Sequence, residues 1–197
     1  MFKRSSRLLA AAKAYVDHGI AVMPGSPMVP DAETTSWRTS WRCSCRDRWC
    51  GTPGMHPLAP APIDTPSEVE ALWGVPVPPN VLIASGPVVA VWRVSRTLGA
   101  YGMRRLEQQR LSVWPPLMRT SGDWVFCTEP VGSEFVPAPD VELVTPDAPV
   151  LAPPSRGADG VRRWEWSRAF PAAPLTSAES LMAALAAARS DHLAVGS

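Results

Sequence analysis

The chain has 197 residues, 46% hydrophobic and 19% charged, with a formal net charge of +1. That length supports one domain with a sizeable core, and the apolar fraction excludes an intrinsically disordered chain. Near-zero net charge excludes a global field toward nucleic acid or an anionic membrane, so any nucleic-acid contact must come from a local patch.

The first residues, Met1 to Lys13, mimic a secretion signal, but Lys13 interrupts the apolar run early. Leu8, Leu9, Ala12, Tyr15 and Val16 recur at helical spacing, and Gly19 is a fitting C-cap, so an amphipathic helix is expected. Ile20 to Met23 reads as a short buried strand stopped by Pro24-Gly25. Residues 25–62 show no periodicity, and a loop of that length in a compact domain is usually functional or held by something. With 23 prolines in the chain, short elements and loops are expected to dominate.

Thr65-Pro66-Ser67-Glu68 is a helix start, with Thr65 as cap, Pro66 at the first position and Glu68 completing a capping box. That helix carries Val69, Leu72 and Trp73 and ends before Pro76. Val81 to Ala84 and Val88 to Val94 read as neighbouring strands joined at Ser85-Gly86-Pro87. A helix is expected over about 98–110, exposing Arg104, Arg105 and Arg110. Trp124 to Cys127, Val141 to Val144 and Val150 to Ala152 are further strands. Thr176 to Glu179 starts a final alanine-rich helix, which is expected to fray after residue 190. Strands and helices mix without regular βαβ alternation, so the class is α+β with a mostly antiparallel sheet. No apolar run approaches the roughly 20 residues that span a bilayer. The chain reads as a cytoplasmic protein with no membrane partner, where clustered cysteines are metal ligands rather than disulfides.

Three of the four cysteines and one of the three histidines lie in the stretch Cys43-Ser44-Cys45-Arg46-Asp47-Arg48-Trp49-Cys50-Gly51-Thr52-Pro53-Gly54-Met55-His56-Pro57. Thiolate and imidazole are the preferred ligands of tetrahedral zinc, and Cys₃His is a common structural set. Cys43, Cys45, Cys50 and His56 are therefore candidate ligands of a structural Zn²⁺; three of them could suffice, with Cys43 spare. Unrelated loop thiols or a redox pair are the competing readings. A full tetrad leaves no open position for water and staples a loop poor in apolar residues. Cys127, beside Phe126 on a strand, reads as a buried small hydrophobe. His18, before Gly19, reads as a helix-end residue whose charge suits the macrodipole.

Several segments, in order, resemble the bifunctional DNA primase/polymerase (prim-pol) domain, a branch of the archaeo-eukaryotic primase superfamily. Ala10 to Pro24 is similar to its first helix and strand, and Cys43 to Pro57 to its Cys-Ser-Cys…Cys…Pro-Gly-Lys-His-Pro stretch. Asn80-Val81-Leu82-Ile83-Ala84-Ser85-Gly86 resembles its Asn-hydrophobic-Gly-Ile-Ala-Thr-Gly segment. Val141 to Leu143, Ala152 to Ser155 and Arg163 to Trp166 resemble its final strand pair. The resemblance covers roughly residues 8–175. It implies one prim-pol-like domain over 1–190, with a mostly antiparallel sheet flanked by helices, a zinc-stapled loop at about 37–62 and a flexible tail over 191–197.

Family members polymerise nucleotides with divalent metals held by carboxylates. The resemblance puts the first acidic pair on Trp92 and Val94, neither of which offers the oxygen ligands a hard cation demands. Asp123 falls where the family's phosphate-contacting histidine stands, and an anion there repels phosphate. Met55 replaces the lysine of Pro-Gly-Lys-His. Glu142 is the remnant third carboxylate, and one carboxylate cannot hold two metals. The resemblance thus implies a dismantled catalytic site. A shifted register would instead bring Asp123, Asp140 and Glu142 together as an acidic triad, although no acidic residue lies between Glu70 and Glu107 to supply the first pair.

Of nine tryptophans, Trp73, Trp124 and Trp164 lie in patterned elements and are expected in the core. Trp37, Trp41 and Trp49 interleave with Arg38, Arg42, Arg46 and Arg48 around the cysteine cluster. Indole and guanidinium mixtures suit stacking on unpaired bases and phosphate pairing, and equally protein interfaces. The candidate contact residues are Trp41, Arg42, Arg46, Arg48 and Trp49. The expected function is a non-catalytic module that binds single-stranded nucleic acid, or a replication or regulatory protein partner. A regulatory subunit that binds no nucleic acid, or a working primase/polymerase, are the alternatives.

Overall fold

A computed structural model describes residues 2–31, 40–45, 47, 49–59, 61–109, 111, 113–120, 122–158, 160–163, 165 and 170–195. The fold is mixed α+β, with four helices and several antiparallel sheets among the described residues. The chain forms two compact units, Met1–Ala84 with Pro146–Arg163, and Ser85–Thr145 with Trp164–Ser197.

The first unit begins with α1 (Phe2–Asp17), whose buried stripe is Leu8, Ala12, Tyr15 and Val16. It ends as the sequence predicts. Gly19 takes φ +76°, and the amides of Gly19 and Ile20 donate to the carbonyls of Val16 and Tyr15 at 2.9 Å each, a Schellman closure. Helix α2 (Pro66–Trp73) starts behind Thr65, but the cap differs from the expected box. The Thr65 hydroxyl donates to the Glu68 carboxylate instead of accepting from a backbone amide. Lys13 of α1 and Glu70 of α2 form an ion pair at 2.6 Å.

Strand β1 (Val22–Gly25) pairs antiparallel with β4 (Asn80–Ile83), which pairs with β9 (Val150–Leu151). Side chains alternate across the sheet. Directly opposed Met23, Leu82 and Leu151 share one face, where Met55 of the cysteine-rich loop packs on them. The other face offers buried Val22, Val81 and Ile83, and α1 packs on β1 and β4. One side of the sheet thus supports a helix and the other the loop. The loop also covers the free edge of β1. Ser26 N–H donates to His56 (2.8 Å), Leu58 N–H to Pro24 (2.7 Å), and Val22 and Ile63 exchange both bonds (2.8 and 2.7 Å).

Within the stretch read as aperiodic, β2 (Met28–Pro30) pairs with β3 (Trp41–Cys43), Met28 facing Cys43 and Pro30 facing Trp41. Three-residue strands are too short to print a period. A second small ribbon, β10 (Arg156–Gly157) with β11 (Gly160–Val161), completes the unit.

In the second unit the antiparallel sheet runs β6 (Leu117–Arg119), β7 (Asp123–Thr128), β5 (Ala90–Ser95), β8 (Val141–Leu143). Helix α3 (Arg96–Gln108) follows β5 directly, its Ser95 hydroxyl accepting from Leu98 N–H at 3.2 Å. It packs against α4 (Ala178–Val195). Ala90, Trp92 and Val94, alternating along β5, form the core with Leu98 and Leu106 of α3, Leu181 and Leu185 of α4, and Phe126. Trp124 is buried here and Trp73 in the first unit, as expected of core indoles; Trp164 lies outside the described residues. Past residue 190, α4 carries Asp191, which pairs with Arg105 of α3.

The sequence places the strands before and after Ser85-Gly86-Pro87 side by side, and the structure corrects this. Strand β4 bonds to β1 and β9, whereas β5 bonds to β7 and β8. Ser85 diverts the chain: its N–H donates to Val144 (2.9 Å), and its hydroxyl accepts from Val91 N–H (2.9 Å) and donates to Val91 C=O (3.2 Å). The chain does turn locally, with Gly86 N–H donating to Val89 C=O at 2.8 Å, but the strands on either side bond to other partners and form no hairpin.

Candidate metal centre

Each end of the Cys43-to-His56 loop is held by backbone. Cys43 closes β3 opposite Met28, and the next amide, Ser44 N–H, donates to Pro27 at 3.0 Å. His56 is fixed through its own carbonyl on Ser26. Between them, the Asp47 carboxylate accepts from Trp49 N–H at 2.9 Å, an Asx turn. Met55 N–H donates to Thr52 at 3.0 Å.

A third anchor is Asn80, a residue the sequence marks only as the start of a strand motif. Its amide nitrogen lies 3.2 Å from Ser26 C=O, 3.2 Å from Gly54 C=O and 2.9 Å from Arg156 C=O, and its oxygen accepts from Arg156 N–H at 3.2 Å. The side chain is almost wholly buried. Gly54 sits against it at φ +83°, where a Cβ would come within 2.6 Å of the Asn80 nitrogen. A side chain at Gly25 would likewise meet Gly54 C=O at 2.7 Å. The loop is thus threaded through a seam that only glycine fits. Ser155 ties the same strand from the far side, accepting from Val81 N–H (2.7 Å) and donating to Val81 C=O (3.0 Å).

These anchors bring together Cys43 Sγ, Cys45 Sγ, Cys50 Sγ and a ring nitrogen of His56, all within 4.8 Å of one another. His56 Nε2 lies 2.8 Å from Cys50 Sγ. Ligands about 2.0–2.3 Å from a tetrahedral ion are separated by about 3.5–3.8 Å, so small side-chain rotations suffice for four-coordination. The four residues could therefore hold a metal ion. All four cysteines are free thiols. Cys43 is buried, Cys50 half-buried and Cys45 exposed.

The electrostatics of the cluster ask for a cation. Burial opposes ionisation of Cys43, but amide donors from Cys45 and Gly54, with the neighbouring sulfurs, hold its pKa below the ordinary thiol value. Cys50 is pushed up to about 11, by burial first and by the adjoining Cys45 and Cys43 sulfurs, against a favourable N–H from Thr52. A second thiolate beside a first is opposed by their like charge and needs a compensating positive charge. Cys127, fully buried on β7, is pushed up by desolvation alone and stays an inert thiol.

Comparison with protein-family models, with curated proteins and with solved structures finds no match for this chain.

Of the predicted contact residues, Arg46 and Arg48 lie outside the described residues, as do Trp37 and Arg38. Arg42 is exposed on β3. Trp41 is half-buried, with the Arg156 guanidinium 4.3 Å from its ring centroid. Trp49, next to Cys50 of the cluster, is 87% exposed. His18 caps α1 through Nδ1, 2.8 Å from Ala14 C=O.

The positions expected to carry polymerase carboxylates are apolar and sealed. Trp92 and Val94 are buried in the second unit's core, and Trp92 Nε1 donates to Thr128 Oγ1 at 2.9 Å. Glu142 faces Arg93 across the ladder and pairs with it at 3.2 Å. Asp140 pairs with Arg189 at 3.1 Å. Asp123 opposes Ser95 at the other edge of β5, in a turn built on the Thr120 hydroxyl. Asp123, Asp140 and Glu142 do not converge: among the described residues, the Cys/His cluster is the only group of three or more His, Cys, Asp or Glu side chains that could hold a metal ion.

Proposed function

We propose that the chain is a catalytically inactive member of the primase/polymerase lineage, a zinc-stapled module that binds single-stranded nucleic acid. The observation that carries this reading is the convergence of Cys43, Cys45, Cys50 and His56 beside an 87%-exposed tryptophan. Three sulfurs and one imidazole form a donor set that suits zinc over hard cations, and four protein ligands leave no position for substrate or water. The free thiols fit a reducing, cytoplasmic setting. Burial of Trp92 and Val94 supports the absence of nucleotidyl transfer, because no oxygen ligands stand where two metals would be needed.

Trp49 supplies the stacking surface, and Arg42, with Arg46 and Arg48 on the same loop, supplies phosphate contacts. Trp41 is already engaged with Arg156, so it braces the loop rather than stacks on a base.

The test is fluorescence anisotropy with single-stranded oligonucleotides on protein of measured metal content. About one zinc per chain and binding that weakens with salt are expected. Stacking is worth about 1–3 kcal/mol per base, so Trp49→Ala weakens binding roughly 5- to 150-fold. Metal content far below one equivalent in folded protein sinks the zinc reading. Absence of binding at low salt, with a stoichiometric protein partner recovered instead, replaces it with the regulatory-subunit reading. Primer extension abolished by Glu142→Ala overturns the inactive assignment.

A further inference from the structure

The cluster combines two properties that a purely structural tetrad does not need. Three sulfurs lie within 4.8 Å of one another, and one of them belongs to the exposed Cys45. Cys43 is shielded by contrast: it ends a strand, is 5% exposed and accepts from Gly54 N–H at 3.5 Å. Cys50 lies between these extremes, half-buried, its N–H meeting Asp47 C=O at 3.4 Å. An oxidant from solvent therefore reaches Cys45 first, and Cys50 is the ligand freest to follow it.

We propose that the cluster is also a thiol-oxidation site, at which a hydroperoxide converts Cys45 and Cys50 to a disulfide and the loop gives up its metal. This rests on the metal-binding reading above. The Cys45 thiolate attacks the peroxide, breaking the O–O bond and releasing hydroxide or alkoxide, and becomes a sulfenic acid. The Cys50 thiolate attacks that sulfur and expels a second hydroxide as the S–S bond forms. Two thiolates lose two electrons and one peroxide gains them. The sulfurs close from at most 4.8 Å to the bond length of about 2.05 Å. Cys43 and His56 alone remain, and two protein ligands are too few for a structural site.

The structure also assigns the consequence. Cys43 stays on β3, and Gly54 and His56 stay tied to Asn80 and Ser26. The segment between, which carries Trp49, loses its metal tether. Oxidation thus acts on the proposed nucleic-acid contact without unfolding the unit.

The experiment titrates metal-loaded protein with hydrogen peroxide in the presence of a chromophoric chelator. Remaining thiols are then blocked and disulfides mapped by mass spectrometry. The expected result is loss of about one metal equivalent per chain, a Cys45–Cys50 disulfide, an unmodified Cys127, and metal rebinding after thiol reductant. Dimedone trapping at low peroxide should label Cys45 ahead of Cys43 and Cys50. Metal retained under excess peroxide, sulfinic acid in place of disulfide, or first labelling at Cys43 overturns the proposal. Metal content measured before peroxide separates the two claims. A folded chain that holds no metal refutes the metal reading, and disulfide mapping on that same chain still decides the oxidation site.

Discussion

Replacing Asn80 by alanine tests whether the loop is positioned by the buried seam or by its metal alone. Asn80 is 1% exposed, and its amide serves the carbonyls of Ser26, Gly54 and Arg156 and the N–H of Arg156. Its two hydrogens are shared among three carbonyls, so the loss counts as two donated bonds and one accepted. At about 1 kcal/mol for each bond, and more where a buried partner is left unsatisfied, Asn80→Ala costs about 3 kcal/mol. In a chain of this size each kcal/mol moves Tm by about 2–4 °C, so a drop of about 6–12 °C is expected. Because Gly54 and His56 are anchored through the same seam, apparent metal affinity should fall about tenfold or more. Asn80→Asp should cost at least as much, since it keeps the acceptor but points a carboxylate at three carbonyl oxygens. Thermal unfolding by circular dichroism, with metal and with chelator, reads the first quantity, and competition with a chromophoric chelator reads the second. A Tm change under about 2 °C would mean that the seam contributes less than one ordinary hydrogen bond, and the argument would fail.

Gly54→Ala forces a β-carbon into the left-handed region and within 2.6 Å of the Asn80 nitrogen; a loss of about 1–3 kcal/mol is expected, read by the same unfolding assay. Trp92→Asp, which places an acid where the prim-pol resemblance would have one, should not create nucleotidyl transfer; truncating a buried tryptophan alone costs about 3–5 kcal/mol, so near-UV circular dichroism should show loss of tertiary structure. The Arg105 guanidinium, by hydrogen bonding and charge, holds the Asp191 carboxyl below its ordinary value of 3.8. A depressed carboxylate stabilises the fold above its unfolded pKa and loses that contribution as pH falls. The Tm gap between wild type and Asp191→Asn should therefore be open at neutral pH and close as pH drops below about 4.

The sequence by itself picked out the four residues of the candidate centre, which the fold brings close together, because thiol and imidazole chemistry is local to residue type and their spacing is written in one loop. It also determined the helices, α1 with its Gly19 cap and α2 behind Pro66, because capping and amphipathic period act within a few residues. The α+β class and antiparallel pairing followed from element order. Tertiary structure alone decided which strands share a sheet: β4 and β5 are six residues apart yet bond to different partners, since pairing depends on distant segments and not on the turn between them. It alone showed the short β2–β3 ribbon that carries Cys43. It alone turned Asn80, which the sequence marks only as the start of a strand motif, into the anchor linking positions 26, 54 and 156. A buried amide earns its role from carbonyls that the fold brings to it, and no local pattern records where those will come from.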